Sequence, residues 1–186
     1  MDILECIRSR RSVRNFTDQE LTYDEIMELI DLGICAPTGQ YRQPWGFVII
    51  QDPEEIKRWS DIGKVDILSR IDDLPAYKKY INWFKDPDFN LFYGAKNLVI
   101  VFGDKSSPWY IEDSCCLAQN MILAGFSKGI GSCWIGFGLE IFNREDFKKE
   151  YNIPESYVSV APLILGYMGS KPKPPKRKEA LIFSKR

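Results

Sequence analysis

Apolar residues follow two rhythms along this chain. At the N-terminus, Ile3, Leu4 and Ile7 fall on one side of a short amphipathic helix over 2–9. "LTYDEIMELIDLGICAP" carries the same rhythm further. Ile26, Leu29, Ile30 and Ile34 come at helical spacing, Thr22 and Glu25 make a capping-box pattern, and Pro37 stops the helix. The second rhythm is the unbroken apolar run. "WGFVII" (45–50), "NLVIVFG" (97–103), "SCWIGF" (132–137) and "YVSVAPLILGY" (157–167) read as strands, and "ALIF" (180–183) as a short final one. Pro162 places its strand at an edge or a bulge. Asp52-Pro53 opens a further helix. Residues 109–128 form a long helix, with Ile111, Cys115, Ala118, Met121 and Ile122 inward and Gly129 just beyond its end. Residues 143–150 form a charged surface helix.

Helices alternating with about five strands predict an α+β fold with α/β-type layers around one sheet. The 186 residues suit a single domain over 1–186, or one subunit of an intimate oligomer. "KPKPPKRK" (171–178) is basic and proline-rich, so it reads as an extended surface arm within 170–186. Residues 66–93 are broken at Pro75 and Pro87 and rich in Tyr, Trp and Phe. They read either as a satellite hydrophobic cluster or as a lid over an aromatic ligand.

Composition narrows the function. The formal net charge is −1 and the sequence pI ≈ 5.7, which argues against a general nucleic-acid binder. The first turns carry charge instead of an apolar signal core, and no apolar run approaches a membrane span, so a cytoplasmic protein is expected. The five cysteines are odd in number and lack CxxC spacing, a poor framework for disulfides or a metal. With no histidine, Ser-His-Asp and Cys-His catalysis are excluded, so an enzyme of this sequence would need a cofactor for its chemistry.

Three stretches could carry that chemistry. "RSRRSVRNF" (8–16) concentrates four arginines in a nearly neutral chain. If residues 10–14 are extended, Arg10, Ser12 and Arg14 share a face about 13 Å long, enough to track a mononucleotide. Arginine forks and a serine hydroxyl suit a phosphate, though a solvated helix end would have the same composition. "APTGQYRQPWGF" (36–47) is either a helix-to-strand loop or a place where another surface meets the backbone at Thr38 and Gly39. "GIGSCWIGFG" (129–138) is not a dinucleotide fingerprint, because Trp134 stands where a third glycine belongs.

In order and spacing these stretches, with "FYGAKNLVIVF", "AQNMILAGFSKGIGSCWIG" and "LGYMGSKPKPPKRK", resemble the FMN-dependent nitroreductase-like flavoproteins over most of the chain. The resemblance implies a nitroreductase-like fold with a central mixed sheet, and a homodimer with FMN at the interface and a C-terminal arm embracing the partner. It implies that Arg10 and Ser12 hold the phosphate, with Arg11 beside them and Lys176 and Arg177 closing from the arm. Arg14 would lie near the pyrimidine edge of the flavin. Pro37, Thr38, Gly39 and Tyr41 would reach the partner's FMN, and Trp134, Ile135 and Gly136 would lie along the ring and offer a backbone N–H. No metal is implied. The activity implied is ping-pong reduction of a nitroaromatic or quinone by NAD(P)H; the lid reading of 66–93 adds Tyr80, Trp83 and Phe84 on the substrate side. A deiodinase-like or enone-reducing enzyme, or a flavin-binding module without useful turnover, are the alternatives. Tyr41 departs from the asparagine of many relatives.

Overall fold

A computed structural model describes residues 2–170 and 172–186. Four strands form one sheet: β1 (Trp45–Ile50), β2 (Asn97–Asp104), β3 (Ile130–Trp134) and β4 (Tyr157–Tyr167). Their order is β1-β2-β4-β3, and every pairing between them is antiparallel. Seven helices surround it: α1 (Ile3–Ser9), α2 (Tyr23–Gly33), α3 (Pro53–Ser69), α4 (Ile81–Lys85), α5 (Tyr110–Ser127), α6 (Gly138–Phe142) and α7 (Glu145–Glu150).

The unbroken apolar runs are explained by helices on both faces of the sheet. Successive strand residues point to opposite sides. On β2, Val99 and Val101 enter a core with α2 and α5, whereas Leu98, Ile100 and Phe102 enter a second core with α3, α6 and α7. Both faces therefore demand apolar side chains.

Several sequence expectations need correction. The sheet has four strands, not five, and its one parallel element is an isolated bridge between Ser12 and Ser132. "ALIF" joins no ladder: Leu181, Ile182 and Phe183 are exposed. Pro162 lies in β4, between β2 and β3, so it is not at an edge. The bulge alternative holds: the register shifts between Val101 and Phe102 and leaves Val160 of β4, two residues before Pro162, without a partner. The Pro162 carbonyl accepts from Ile135 N (2.9 Å), just beyond the end of β3. The N–H that proline lacks would face that same side, where the ladder has already ended. The third strand begins two residues before "SCWIGF" and stops at Trp134, after which the chain turns into α6, a helix the pattern did not reveal. Ile111 is exposed, and the buried face of α5 instead begins at Asp113 and Ser114 before Leu117, Ala118 and Met121.

Other local signals are realised. Thr22 and Glu25 form the full capping box, and Gly129 follows α5 at φ 83°. Residues 12–17 form an extended strap across the ends of β3 and β4. Val13 N donates to Ser132 O and Thr17 N to Tyr167 O, each at 2.9 Å. Val13 is fully buried against Gly131, where a Cβ would approach it to 2.8 Å. Only glycine lets the strap lie this close.

Among the described residues, no helix is long and apolar enough to cross a membrane, and no group of His, Cys, Asp and Glu could hold a metal.

Candidate active site

The strap fixes which way the N-terminal arginines face. Because Val13 points into the core, extended geometry sends its neighbours Ser12 and Arg14 the other way. Arg10, Ser12 and Arg14 all act on one group, the thiol of Cys133 on β3. Burial pushes this thiol above its ordinary value, and Arg14, a hydrogen bond with Ser12, and Arg10 each oppose that rise. Two of them are also placed by geometry: the Ser12–Ser132 bridge sets Ser12 along β3 beside Cys133, and Arg14 lines the same cavity as Cys133.

Arg11 is used differently. Its Nη1 donates to the carbonyls of Arg8 (2.8 Å) and Arg10 (2.6 Å), closing the C-terminal end of α1. The helix-end reading therefore holds for Arg11. Its Nε is buried and has no hydrogen-bond partner among the described residues.

A cavity of ≈ 670 Å³ opens beside this cluster. Its lining combines Arg14 and Cys133 with Trp134, Ile135, Gly136 and Phe137, and with Ala76, Tyr77, Lys79, Tyr80, Trp83 and Tyr93. The Arg14 guanidinium lies 5.4 Å from the centroid of the Tyr93 ring, a cation–π contact. Phe137 anchors the aromatic wall, with its ring centroid 5.2 Å from Tyr77, 5.3 Å from Tyr80 and 5.1 Å from Phe84. Region 66–93 therefore packs on the core and also supplies part of the cavity wall. Phe84 is 2% exposed, sits in the core and does not line the cavity, which removes it from the substrate side. Trp83, 47% exposed, and Tyr80 do line it. Lys64, itself buried, donates to the carbonyls of Asp86 (3.2 Å), Pro87 (3.4 Å) and Phe89 (2.8 Å) and ties this wall to α3.

Two features of the wall at 134–137 bear on a ligand. Ile135 N–H is spent on Pro162 O, whereas the Gly136 N–H takes no partner among the described residues. A Cβ built on Gly136 would meet nothing within 4 Å. No contact within the chain calls for glycine there.

Residues 7–167 match the family model described as "Nitroreductase family". The chain belongs to the nitroreductase family. A crystal structure of a nitroreductase with bound FMN from Bacteroides fragilis matches it with a TM-score of 0.86 at 25% identity, covering 100% of both chains. FMN reductase (NADPH) of Bacillus subtilis is 29% identical over 192 residues, 94% of this chain and 70% of that protein. An iodotyrosine deiodinase of Thermotoga neapolitana is 24% identical over 192 residues, 97% of this chain and 96% of that protein. Nitroreductase-family membership therefore does not by itself name an acceptor.

Within this nitroreductase-family chain, the cavity collects Arg14, Trp134, Ile135, Gly136, Tyr80 and Trp83, whereas Arg10 and Ser12 are outside its lining. Pro37, Thr38, Gly39 and Tyr41 lie elsewhere. Gly39 N donates to the buried carboxylate of Asp113 (3.0 and 3.3 Å) and packs on the Trp109 ring. Tyr41 is 90% exposed, in a loop where Gln40, Tyr41 and Gln43 all have positive φ. Lys176 and Arg177 are exposed on the arm and contact neither Arg10 nor Ser12 within the chain. Tyr77 and Tyr93 belong to the aromatic set expected at 66–93, whereas Asp113, Lys79 and Phe137 were not singled out in the sequence. A charge in the first turn of a helix normally reads as solvated, which hides Asp113.

Proposed function

We propose that this chain is an FMN-dependent NAD(P)H oxidoreductase that reduces a small aromatic acceptor, a nitroaromatic or a quinone. The observation that carries it is an aromatic cavity lined by Arg14 and left open at Gly136, with Arg10 and Ser12 just ahead of Arg14 on the same N-terminal segment. The donor set fits the cofactor. Arg10 and the Ser12 hydroxyl suit a dianionic phosphate, the unpartnered Arg11 Nε adds a donor beside them, Arg14 is left for the ring, and the missing Cβ leaves room for a flat ring.

FMN bound here would supply two-electron exchange, accepting hydride from a nicotinamide and returning the electrons to an acceptor. The chain's own residues bind and orient. Arg10 and Ser12 hold the phosphate, and Arg177 with Lys176 closes on it from the arm. Arg14, packed on Tyr93, keeps a positive charge at the electron-rich edge of the ring and favours the reduced form. The Gly136 N–H, without a partner among the described residues, is the backbone donor toward the ring. Tyr80 and Trp83 present flat faces to the acceptor.

Donor and acceptor share one cavity, so they bind in turn. The active unit is a homodimer in which Pro37, Thr38, Gly39 and Tyr41 of one subunit complete the partner's site. Support comes from the outward presentation of that loop and from the exposed apolar residues Ile3, Leu4 and Ile7 of α1. Five unpaired cysteines suit the reducing cytoplasm.

Steady-state oxidation of NADH and of NADPH with 4-nitrobenzoate or a benzoquinone tests the reading. Parallel double-reciprocal lines and stoichiometric acceptor reduction are expected. Intersecting lines would contradict alternating occupancy, and bound flavin without turnover would favour a binding module. The full-length match to an iodotyrosine deiodinase supports one second reading, reductive dehalogenation of a halogenated phenol.

A further inference from the structure

The cavity's charge is one-sided. Its lining holds two cations, Arg14 and Lys79, and no carboxylate. Arg14 is on the strap and is taken by the flavin in the reading above, on which this inference rests. Lys79 is on the separate turn Pro75–Tyr80. Its neighbour Lys78 is paired with Asp72 at 2.7 Å, but Lys79 forms no ion pair among the described residues. The acid acting on this wall from α6, Glu140, is held by Arg70 at 3.1 Å. The Lys79 ammonium lies 4.9 Å from the centroid of the Tyr80 ring, and Tyr80 lies 5.1 Å from Trp83, tilted by 41°. A fixed cation thus borders two aromatic faces at the cavity mouth.

We propose that Lys79 selects acceptors in which an aromatic ring carries an anionic substituent, such as an aromatic carboxylate. The ring lies against Tyr80 and Trp83 and the anion meets the ammonium. A zwitterionic amino acid fits less well, because its own ammonium finds no carboxylate in the lining. In the reaction used to read this preference, ArNO2 + NAD(P)H + H+ gives ArNO + NAD(P)+ + H2O, so only recognition depends on Lys79.

The test compares 4-nitrobenzoate with neutral 4-nitrotoluene in the FMN-loaded wild type, Lys79→Gln and Lys79→Glu. Wild type should favour the anion in kcat/KM. Lys79→Gln should raise KM for 4-nitrobenzoate about tenfold and change 4-nitrotoluene less than twofold, as expected for loss of one partly exposed charge pair. Lys79→Glu should invert the preference. Flavin content and the rate of reduction by NAD(P)H should not change. Equal loss with both acceptors, or a raised KM for NAD(P)H alone, would overturn the assignment.

A second measurement needs no turnover. Benzoate should quench tryptophan fluorescence at lower concentration in wild type than in Lys79→Gln, whereas benzamide should not distinguish them. Benzoate binding indifferent to Lys79 would refute the proposal. Lys79-dependent benzoate binding in a protein that holds no flavin would instead refute the oxidoreductase reading and leave the anion site standing.

Discussion

Arg10 and Arg14 come from the same short run as Arg11, yet only Arg11 is consumed by the helix it follows. Replacing Arg10 by alanine should therefore weaken FMN binding by about tenfold or more, since a hydrogen bond to a charged group is worth about 1.5–3 kcal/mol. Titration of the apoprotein followed by flavin fluorescence measures it, and unaltered affinity would remove Arg10 from the phosphate site. The alternation of the strap was readable in the sequence, because a small apolar residue between polar ones needs only an extended backbone. Asp113 was not readable. Its burial depends on a loop 74 residues away donating Gly39 N–H to it. Lys79 was not readable either, since nothing local separates it from Lys78.

Among the elements, the loop at 37–43 is the most constrained. It is held by Asp113 and by the fit of Gly39 on Trp109, where an added Cβ would come within 2.4 Å of the ring. Asp113→Ala leaves the Gly39 N–H unmatched and should cost about 1–3 kcal/mol in urea unfolding. Asp113→Asn should recover part of this through its carbonyl oxygen. If both variants were as stable as the parent, the loop would not depend on this contact. The starts of α2 and α3 were legible because caps and prolines are local signals, but α2 ends at Gly33, short of the Pro37 expected to stop it, and Ile34 beyond it is exposed. The phase of α5 was not, because polar Asp113 and Ser114 occupy its buried face while Ile111 is exposed. Apolar periodicity misleads where a helix buries polar groups or leaves apolar ones for a partner. Helix α6, five residues long, gives too short a pattern to read.

At the scale of the whole molecule, two networks bear on stability and assembly. Glu55 accepts from Arg58, Trp59 and Tyr151, linking α3 to the segment after α7. The Arg58 hydrogen bond is the main cause that holds its carboxyl down to about 2 from an ordinary 4.5. A carboxylate depressed in the folded state stabilises above its unfolded value and loses that contribution as pH falls through the folded one. Glu55→Gln should therefore lower Tm at pH 7 and flatten the decline of Tm between about pH 4.5 and 2. A Tm–pH curve parallel to the parent's would contradict this.

Ile3, Leu4 and Ile7 of α1 and Leu181, Ile182 and Phe183 of the arm are exposed, and the proposed dimer would bury them. Ile7→Glu, or deletion of 181–186, should shift the dimer toward monomer and release flavin, as read by light scattering. A monomeric parent would refute the shared site. The layer order of the fold was legible from strand and helix alternation, but the arm's fate was not. A four-residue apolar run pairs only where an open edge is offered to it.

The central claim, that the strap and the 134–137 wall together hold FMN, is tested most directly by a visible absorption spectrum of the untreated purified protein. The prediction is oxidised flavin bands, with about one FMN per chain released on denaturation. A colourless protein that also fails to take up added FMN would contradict the account and assign the arginine cluster to a different anion.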